Sequence, residues 1–279
     1  MIASRPLRIL LRAGTAATLA FVYFPLAVLT LYALNSSRVV RWPIDGLSLR
    51  WLKLAKDNPG ARSALSMSVK VGLLATLIAL VLGSLAAFAV ARYRFFGRDA
   101  VSFLVVIPIA LPGIATGMAL NATFTQAPVV RGIPFGTFTM AVGHATFCIV
   151  VVYNNVLARL RRTSKNLEEA SADLGANPLQ TFRYVTFPAI RTALLAGALL
   201  AFALSFDEII VTRFTVGDNP TLPLWIFNNY SRPNQGPIVN AVGLFAILGS
   251  IIPVYLAQRL SADDGATTNP TTGAAAANP

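Results

Sequence analysis

The sequence predicts an all-α polytopic membrane protein with six transmembrane helices and a cytoplasmic helix-turn-helix loop between the fourth and the fifth of them. Of the 279 residues, 55% are hydrophobic and only 12% are charged, whereas about a quarter of the residues in a soluble domain are charged. Several long stretches lack charge altogether, as membrane spans of about 20 apolar residues require. A pair of short, capped helices is predicted between two of these stretches.

Five stretches without a charged residue predict five spans, because a charge at the bilayer centre costs roughly 2.5 to 3.5 kcal/mol on insertion scales. They are Ala13 to Ser37, Val71 to Ala91, Ala100 to Val130, Gly132 to Ala158 and Pro233 to Gln258. A sixth span, Thr192 to Phe206 followed by Ile209 to Thr212, must carry Asp207 and Glu208. The predicted membrane domain covers residues 13–260.

The two ends of the chain lie outside this predicted membrane domain. Residues 1–12 contain three arginines and are predicted to be a cytoplasmic segment. The apolar run 13–34 is longer than the core of about 7 to 15 residues of a cleavable signal peptide, so we interpret it as a retained first helix. Residues 261–279 are predicted to be a disordered tail, because their composition cannot bury enough apolar surface to order the chain.

Basic residues predict the orientation of the helices. With a cytoplasmic N-terminus, and with the long first outer loop left aside, 13 Lys and Arg lie inside and 3 outside, so both termini are predicted to be cytoplasmic. In the first loop, apolar residues alternate with basic ones from Leu47 to Lys56, which is typical of a segment on the membrane surface. The net charge of +12 is explained by this topology and by anionic lipid, and no nucleic-acid partner is expected.

The segment from Arg159 to Pro188 is predicted to form two short amphipathic helices. The first runs from Leu167 to Leu174, with Asn166 as its N-cap and Glu169 completing a capping box. Gly175 follows at the position where a left-handed turn favours a residue without Cβ.

The second helix of this loop has its own start signal. Asn177 is predicted as its N-cap and Pro178 as its first residue, and the helix continues through Tyr184. Pro188 is predicted to end or kink it. Such a rigid element between two spans favours a docking surface for a partner protein.

This loop resembles a known motif. It contains Glu169-Ala170-Ser171, three residues, Gly175, nine residues, Val185, one residue and Phe187-Pro188. This arrangement resembles the Glu-Ala-Ala-x3-Gly-x9-Ile-x-Leu-Pro motif, the EAA motif, of bacterial ABC importer permeases. In that family the loop docks into a cleft of the ATP-binding subunit. The coupling residues that the resemblance implies here are Glu169, Ala170, Ser171, Gly175 and Pro188.

Other segments resemble the second permease subunit of spermidine/putrescine importers. They are residues 34–37, 46–51, 92–98, 107–113, 144–147, 174–176 and 204–208. The resemblance implies half of a translocation pathway for a small solute, with a polyamine as the expected substrate. Gly113 is a departure, since many relatives carry an acid there.

The expected energy source and partners follow from a missing motif and from the resemblance. The sequence has no Gly-x4-Gly-Lys-Ser/Thr loop that could hold ATP phosphates, so we expect neither enzyme activity nor a cofactor in this chain. The resemblance implies a dimer of ATP-binding subunits that bind ATP and Mg, a homologous second permease, and an extracytoplasmic solute-binding protein. It also implies location in the bacterial plasma (inner) membrane, in contact with lipid.

Four residues are candidates for the substrate pathway. Asp207 and Glu208 would lie about 27 Å along the fifth helix, near its outer end. Acids at that depth either attract a polycation or pair with Arg213 or with the second permease. Trp225 and Tyr230, between helices five and six, either hold a cation on their ring faces or anchor the chain at the membrane interface.

Other chemistries are less favoured by the sequence. His144 and Cys148 share a helix face, but two ligands do not make a metal site, so we predict an interhelical hydrogen bond from His144. Pro108 and Pro112 predict a kink in the third helix. Three alternatives to a polyamine permease stay open: a permease of the same superfamily for another solute, a self-powered secondary transporter, and a membrane enzyme, although the sole histidine has no acid in its helix.

Overall fold

The computed structural model describes residues 5–39 and 41–266, which are almost entirely helical. Within these residues the β structure is limited to an isolated bridge between Asn35 and Leu47. The helices are α1 (Arg5–Ala33), α2 (Arg50–Asp57), α3 (Pro59–Arg92), α4 (Arg98–Ala110), α5 (Gly113–Gln126), α6 (Thr137–Arg162), α7 (Asn166–Asp173), α8 (Pro178–Thr181), a π turn (Phe182–Thr186), α9 (Phe187–Phe206), α10 (Ile210–Thr215), α11 (Leu222–Tyr230) and α12 (Gly236–Ala266). The all-α prediction is therefore confirmed for this part of the chain.

Four helices in the described residues are long and apolar enough to cross a membrane: α1, α3, α6 and the continuous helix Pro178–Phe206 that comprises α8, the π turn and α9. The bent pair α4 and α5 makes a fifth if it is counted as one span. The last predicted span corresponds to α12, whose apolar part, Gly236–Ile251, is shorter. The count of six spans therefore stays a prediction.

The third predicted span is broken at a proline. The axes of α4 and α5 differ by 105°, and the break lies at Leu111 and Pro112. Leu111 has an extended backbone, with φ −78° and ψ 142°, as expected for a residue that precedes proline. The kink predicted from Pro112 is confirmed, whereas Pro108 lies inside α4.

Contacts divide the chain into two units, one comprising Met1–Ser63 and Trp225–Ser250, and the other Ala64–Leu224 and Ile251–Pro279. In the second unit α6 is the central helix and packs most extensively against α9. Large side chains such as Met140, Tyr153 and Leu160 are almost fully buried along its length. A helix buried on nearly all sides is typical of the interior of a bundle.

Small residues allow α3 and α6 to approach each other closely. A Cβ atom added at Gly83 would lie 2.9 Å from the carbonyl oxygen of Ile149 and 3.1 Å from the backbone nitrogen of Tyr153. Gly197 of α9 similarly faces the backbone of Val152, at 3.3 Å. Membrane helices commonly pack at such glycines, because the absence of a side chain brings the two backbones together.

In the first unit, an ordered loop follows α1. The buried Asn35 side chain accepts hydrogen bonds from the backbone of Ser37 and of Asp45, at 3.2 and 3.3 Å. The adjoining helix α2 is amphipathic, since Trp51 is buried while Lys53 is exposed. The predicted surface segment of the first loop is therefore helical in its second half.

The ends of the chain extend the helices beyond the predicted membrane domain. The predicted N-terminal segment 1–12 is helical from Arg5 onward, and the predicted tail from residue 261 begins inside α12, which runs to Ala266. Once a helix is nucleated, each further residue is added at little cost. Residues 1–4 and 267–279 of these two predicted segments lie outside the described residues.

Candidate functional site

The loop after α6 begins with a helix whose start differs from the predicted one. The N-cap of α7 is Lys165, whose side chain makes no capping bond. The backbone N–H of Asn166 donates to Ser164 Oγ at 3.2 Å, and the N–H of Glu169 donates to the Lys165 carbonyl at 3.1 Å. The predicted capping box between Asn166 and Glu169 is therefore wrong, because the helix starts one residue earlier and Asn166 lies within its first turn.

The turn between the two short helices is as predicted. Gly175 has φ +81°, a left-handed conformation that glycine adopts without a Cβ penalty, and its N–H donates to the Ala172 carbonyl at 2.9 Å. Asn177 Oδ1 accepts from the Gln180 N–H at 2.9 Å, and Gln180 Oε1 accepts from the Asn177 N–H at 2.8 Å. The predicted N-cap at Asn177 is confirmed, with Pro178 as the first helical residue.

Of the two outcomes predicted at Pro188, an end or a kink of the second helix, the end is wrong, because the helix continues as α9. Residues Phe182–Thr186 form a π turn, in which the Phe187 N–H donates to the Phe182 carbonyl. Proline lacks an N–H and leaves a carbonyl in the preceding turn without its α-helical donor. The wider π turn accommodates this change of hydrogen-bond register, so the helix continues to Phe206.

The predicted coupling residues lie in the hairpin formed by α7 and α8, except Pro188, which lies in α9. Glu169, Ala170, Gly175 and Pro188 are exposed, whereas Ser171 is half-buried and its hydroxyl lies 3.1 Å from the Thr181 hydroxyl. Large apolar side chains beside them are also exposed, with Leu174 at 89% and Leu179 at 74%. Exposed apolar side chains beside polar ones are typical of a protein interaction surface.

A partly buried ion pair joins the hairpin to the rest of the second unit. Arg92, the last residue of α3, donates from Nη2 and Nε to Glu168 Oε1 at 2.9 and 3.1 Å. Its third donor, Nη1, reaches the Leu160 carbonyl at 3.2 Å, and Thr186 Oγ1 donates to the same Glu168 oxygen at 3.1 Å. We did not predict this cluster, because its partners are up to 76 positions apart. In the sequence, the only local signal for this cluster is that another acid, Glu168, precedes Glu169.

The two pathway acids lie at a break between two helices. Asp207 is the C-cap of α9 and is exposed, while Glu208 is half-buried and its Oε1 accepts from the N–H of Val211 at 2.8 Å, at the start of α10. Ile210, the first residue of α10, packs on Gly113 at the start of α5, where an added Cβ would lie 3.4 Å from it. Among the described residues, the structure shows no ion pair between either acid and Arg213.

A buried histidine joins the two sides of this break. His144 Nδ1 lies 2.8 Å from Ser205 Oγ in α9, and its Nε2 lies 2.8 Å from Thr212 Oγ1 in α10. The Thr212 hydroxyl also donates to the Glu208 carbonyl at 2.7 Å, so the histidine ring and both sides of the break belong to one hydrogen-bonded group. The predicted interhelical hydrogen bond of His144 is confirmed.

Replacing His144 with leucine is expected to destabilise the second unit by about 1 to 3 kcal/mol, because the buried hydroxyls of Ser205 and Thr212 each lose one hydrogen bond. The loss can be measured as a lower unfolding temperature of the purified chain in detergent. Thr123→Val is the control, since that exposed hydroxyl bonds only to the carbonyl of Ala119 in its own helix. Equal unfolding temperatures for His144→Leu and the control would contradict the bridging role.

The aromatic candidates differ in exposure. Trp225 is only 8% exposed and packs on Gly60, where an added Cβ would lie 2.9 Å from its indole nitrogen. Tyr230, at the end of α11, is 67% exposed. Of the two, Tyr230 is the ring with a face open to an external ligand.

His144 and Cys148, whose side chains are of types that can bind metals, make contacts between helices instead. Cys148 Sγ, one turn after His144 on α6, donates to the Ala201 carbonyl at 3.3 Å. In the part of the chain that the structure describes, no group of three His, Cys, Asp or Glu side chains could hold a metal ion.

Comparison with known proteins gives matches over most of the chain. The family model described as "binding-protein-dependent transport system inner membrane component" matches residues 79–263. The putrescine transport system permease protein PotI of Escherichia coli (strain K12) is 34% identical over 236 residues, which is 83% of this chain and 83% of that protein. The spermidine/putrescine transport system permease protein PotC of the same strain is 31% identical over 257 residues, which is 91% of this chain and 95% of that protein.

Solved structures show the same fold at lower sequence identity. A chain of a bacterial ABC transporter involved in the import of the acidic polysaccharide alginate superposes with a TM-score of 0.70 at 16% identity, covering 93% of this chain and 99% of that one. A chain of the MetNI methionine ABC transporter in an inward-facing conformation gives a TM-score of 0.56 at 20% identity, covering 77% and 97%.

Proposed function

Because this chain belongs to the family of binding-protein-dependent transport system inner membrane components, we propose that it forms half of the translocation pathway of an ATP-driven polyamine importer. The chain is a multi-pass inner-membrane protein and a non-catalytic permease subunit. The observation that carries the polyamine proposal is its identity of 34% and 31% to permeases named for putrescine and spermidine/putrescine transport.

The proposed assembly has four kinds of partner. A homologous second permease completes the pathway, and a dimer of ATP-binding subunits binds ATP and Mg and hydrolyses the nucleotide. An extracytoplasmic solute-binding protein delivers the substrate, and membrane lipid surrounds the helices.

In the proposed topology six spans cross the membrane, with both termini and the α7–α8 hairpin in the cytoplasm. Two features support it. The ion pair between Arg92 and Glu168 joins the end of α3 to the hairpin, so these two segments lie on the same side of the membrane. Both segments are also rich in arginine, as in Arg92 to Arg98 and Arg159 to Arg162, which favours the cytoplasmic side.

The hairpin is the proposed coupling element, with Glu169, Ala170, Ser171, Gly175 and Pro188 as its coupling residues. Its support is geometric, because the glycine turn and the Asn177 cap fix the hairpin while Leu174 and Leu179 project from it. A fixed hairpin transmits a movement of the ATP-binding subunit, whereas a flexible loop would absorb it.

Asp207, Glu208, Trp225 and Tyr230 are the proposed substrate-pathway residues. Asp207 is exposed at the end of α9 and has no partner among the ion pairs of the described residues, so its charge is available to a cation. The buried position of Trp225 favours a supporting role for this ring, and the exposed Tyr230 is the better candidate for direct contact.

The complete transporter, reconstituted in liposomes with its second permease, ATP-binding subunits and binding protein, tests this function. We expect the binding protein to stimulate ATP hydrolysis and ATP-dependent uptake when it is loaded with spermidine or putrescine. Sulfate and uncharged solutes are the comparison ligands. Stimulation by an anion alone would contradict a polyamine substrate while leaving the permease function intact.

Removing the charges of Asp207 and Glu208 tests their proposed role in the substrate pathway. Asp207→Asn with Glu208→Gln is expected to lower the uptake of a polyamine about tenfold at low substrate concentration, because charges that line a pathway raise the local concentration of a counter-ion. The amide oxygen that Glu208→Gln introduces can still accept the Val211 N–H, so assembly stays intact. Asp218→Asn, at another exposed acid of the second unit, is the matched control. Wild-type uptake by the double variant would limit these acids to a structural role.

A further inference from the structure

Four parts of the second unit are joined by one cluster around Arg92 and Glu168. Glu168 of α7 accepts from two nitrogens of Arg92 at the end of α3 and from the hydroxyl of Thr186 at the end of the π turn. The remaining nitrogen of the Arg92 guanidinium binds the Leu160 carbonyl near the end of α6. The cluster therefore connects the hairpin to three helices, and only two of these are joined to the hairpin by the chain itself.

Burial makes the cluster a strong link between these elements. The Arg92 and Glu168 side chains are 9% and 22% exposed, and the Thr186 residue is 2% exposed. Exposed ion pairs contribute little, but a buried charge that loses its partner is left uncompensated. Because most of each side chain is shielded from solvent, separating the two residues is expected to cost more than separating an exposed pair.

An aromatic contact one helical turn away supports the same junction. The rings of Phe88 and Phe182 meet edge to face with centroids 6.0 Å apart. Phe88 precedes Arg92 by four residues in α3, and Phe182 precedes Thr186 by four residues along the π turn. Two contacts, one helical turn apart, therefore join α3 to the π turn.

We propose that Arg92 and Glu168 are positioning residues that transmit the movement of the hairpin to α3. This inference rests on the proposed function, in which the hairpin receives the stroke of an ATP-binding subunit. Without the pair, the hairpin pulls only on α6 and α9, to which it is covalently joined. With the pair, α3 moves together with the hairpin and the π turn.

Charge reversal tests the link in the reconstituted transporter. Arg92→Glu and Glu168→Arg are each expected to raise the number of ATP molecules hydrolysed per solute imported about tenfold, because the stroke no longer reaches α3. The double variant, which restores the pair in the opposite sense, is expected to recover at least half of the wild-type coupling. Arg94→Glu and Asp173→Arg, which change the same charges at nearby exposed positions, are the controls and are expected to couple as the wild type does.

The number of ATP molecules hydrolysed per solute imported distinguishes a loss of transmission from a loss of stability. Single variants that lose uptake and ATP hydrolysis in the same proportion would overturn the proposal and leave the pair with a purely structural role. A double variant whose coupling is no better than that of the single variants would overturn it as well. Absence of ATP-dependent uptake in the wild-type complex would overturn the proposed function instead, and the transmission role with it.

A distance measurement tests the link without transport. Spin labels on Tyr93→Cys and Ala172→Cys are expected to give one narrow distance distribution, which Arg92→Glu broadens and Arg94→Glu does not. Cys148 is buried, so these two exposed positions are labelled selectively. A distribution unchanged by Arg92→Glu would show that the pair does not hold the hairpin to α3.

Discussion

Replacing Gly175 with proline is expected to reduce ATP-dependent uptake to background while the chain still inserts in the membrane. Proline fixes φ near −65°, whereas Gly175 has φ +81°. Proline also removes the N–H that binds the Ala172 carbonyl at 2.9 Å and drives Leu174, whose φ is −81° and ψ is 9°, toward an extended backbone. The hairpin must then open at the turn, and its exposed face no longer presents a single shape to the ATP-binding subunit that we propose as its partner.

The surroundings of Gly175 provide a sharp control for this prediction. A Cβ at this position would have no atom within 4 Å, so the effect of a substitution depends on the backbone rather than on crowding. Gly175→Asn is expected to keep most of the uptake, because asparagine tolerates the left-handed conformation. Uptake by Gly175→Pro within about twofold of Gly175→Asn would contradict a coupling role for this turn.

Replacing Gly83 with leucine is expected to prevent normal packing of α3 on α6. The first side-chain atom alone would lie 2.9 Å from the Ile149 carbonyl and 3.1 Å from the Tyr153 nitrogen. Backbone atoms cannot rotate away as a side chain can, so the two helices must separate. Overpacking costs about 1 to 3 kcal/mol where side chains adjust, and we expect at least the upper end of that range.

Thermal unfolding and the yield of monodisperse protein in detergent measure this effect. Gly14→Leu is the matched control, because Gly14 also lies inside an apolar helix but has no atom within 4 Å of an added Cβ. Both substitutions add the same side chain to a helix interior, so the difference between them reports packing. Equal yields and unfolding temperatures would show that α3 and α6 are not in close contact at Gly83.

The helices and the hairpin turn could be predicted because their signals are local. Apolar runs indicate the spans, and the Gly175 turn and the Asn177 cap each depend on residues within a few positions of one another. The N-terminal end of α7 was predicted wrongly for the same reason. Ser164 and Asn166 are both good capping residues, and the sequence alone does not choose between them.

The contacts that hold the site together could not be predicted. Arg92 and Glu168 are 76 positions apart, and His144 is 61 and 68 positions from its two partners. Sequence patterns of helices and turns relate residues within a few positions of one another, so no pattern links partners that are this far apart. Pro188 alone does not indicate whether the hydrogen-bond register changes before it or the helix ends, so the π turn could not be predicted.

Two helix breaks lie next to each other, which affects what can surround them in the membrane. The break at Leu111 and Pro112 adjoins the break at Asp207 and Glu208, since Gly113 packs on Ile210. Peptide groups released from a helix are not exposed to lipid and are tolerated where they line a hydrated cavity. In the membrane, this junction is therefore expected to lie against protein or water rather than against lipid.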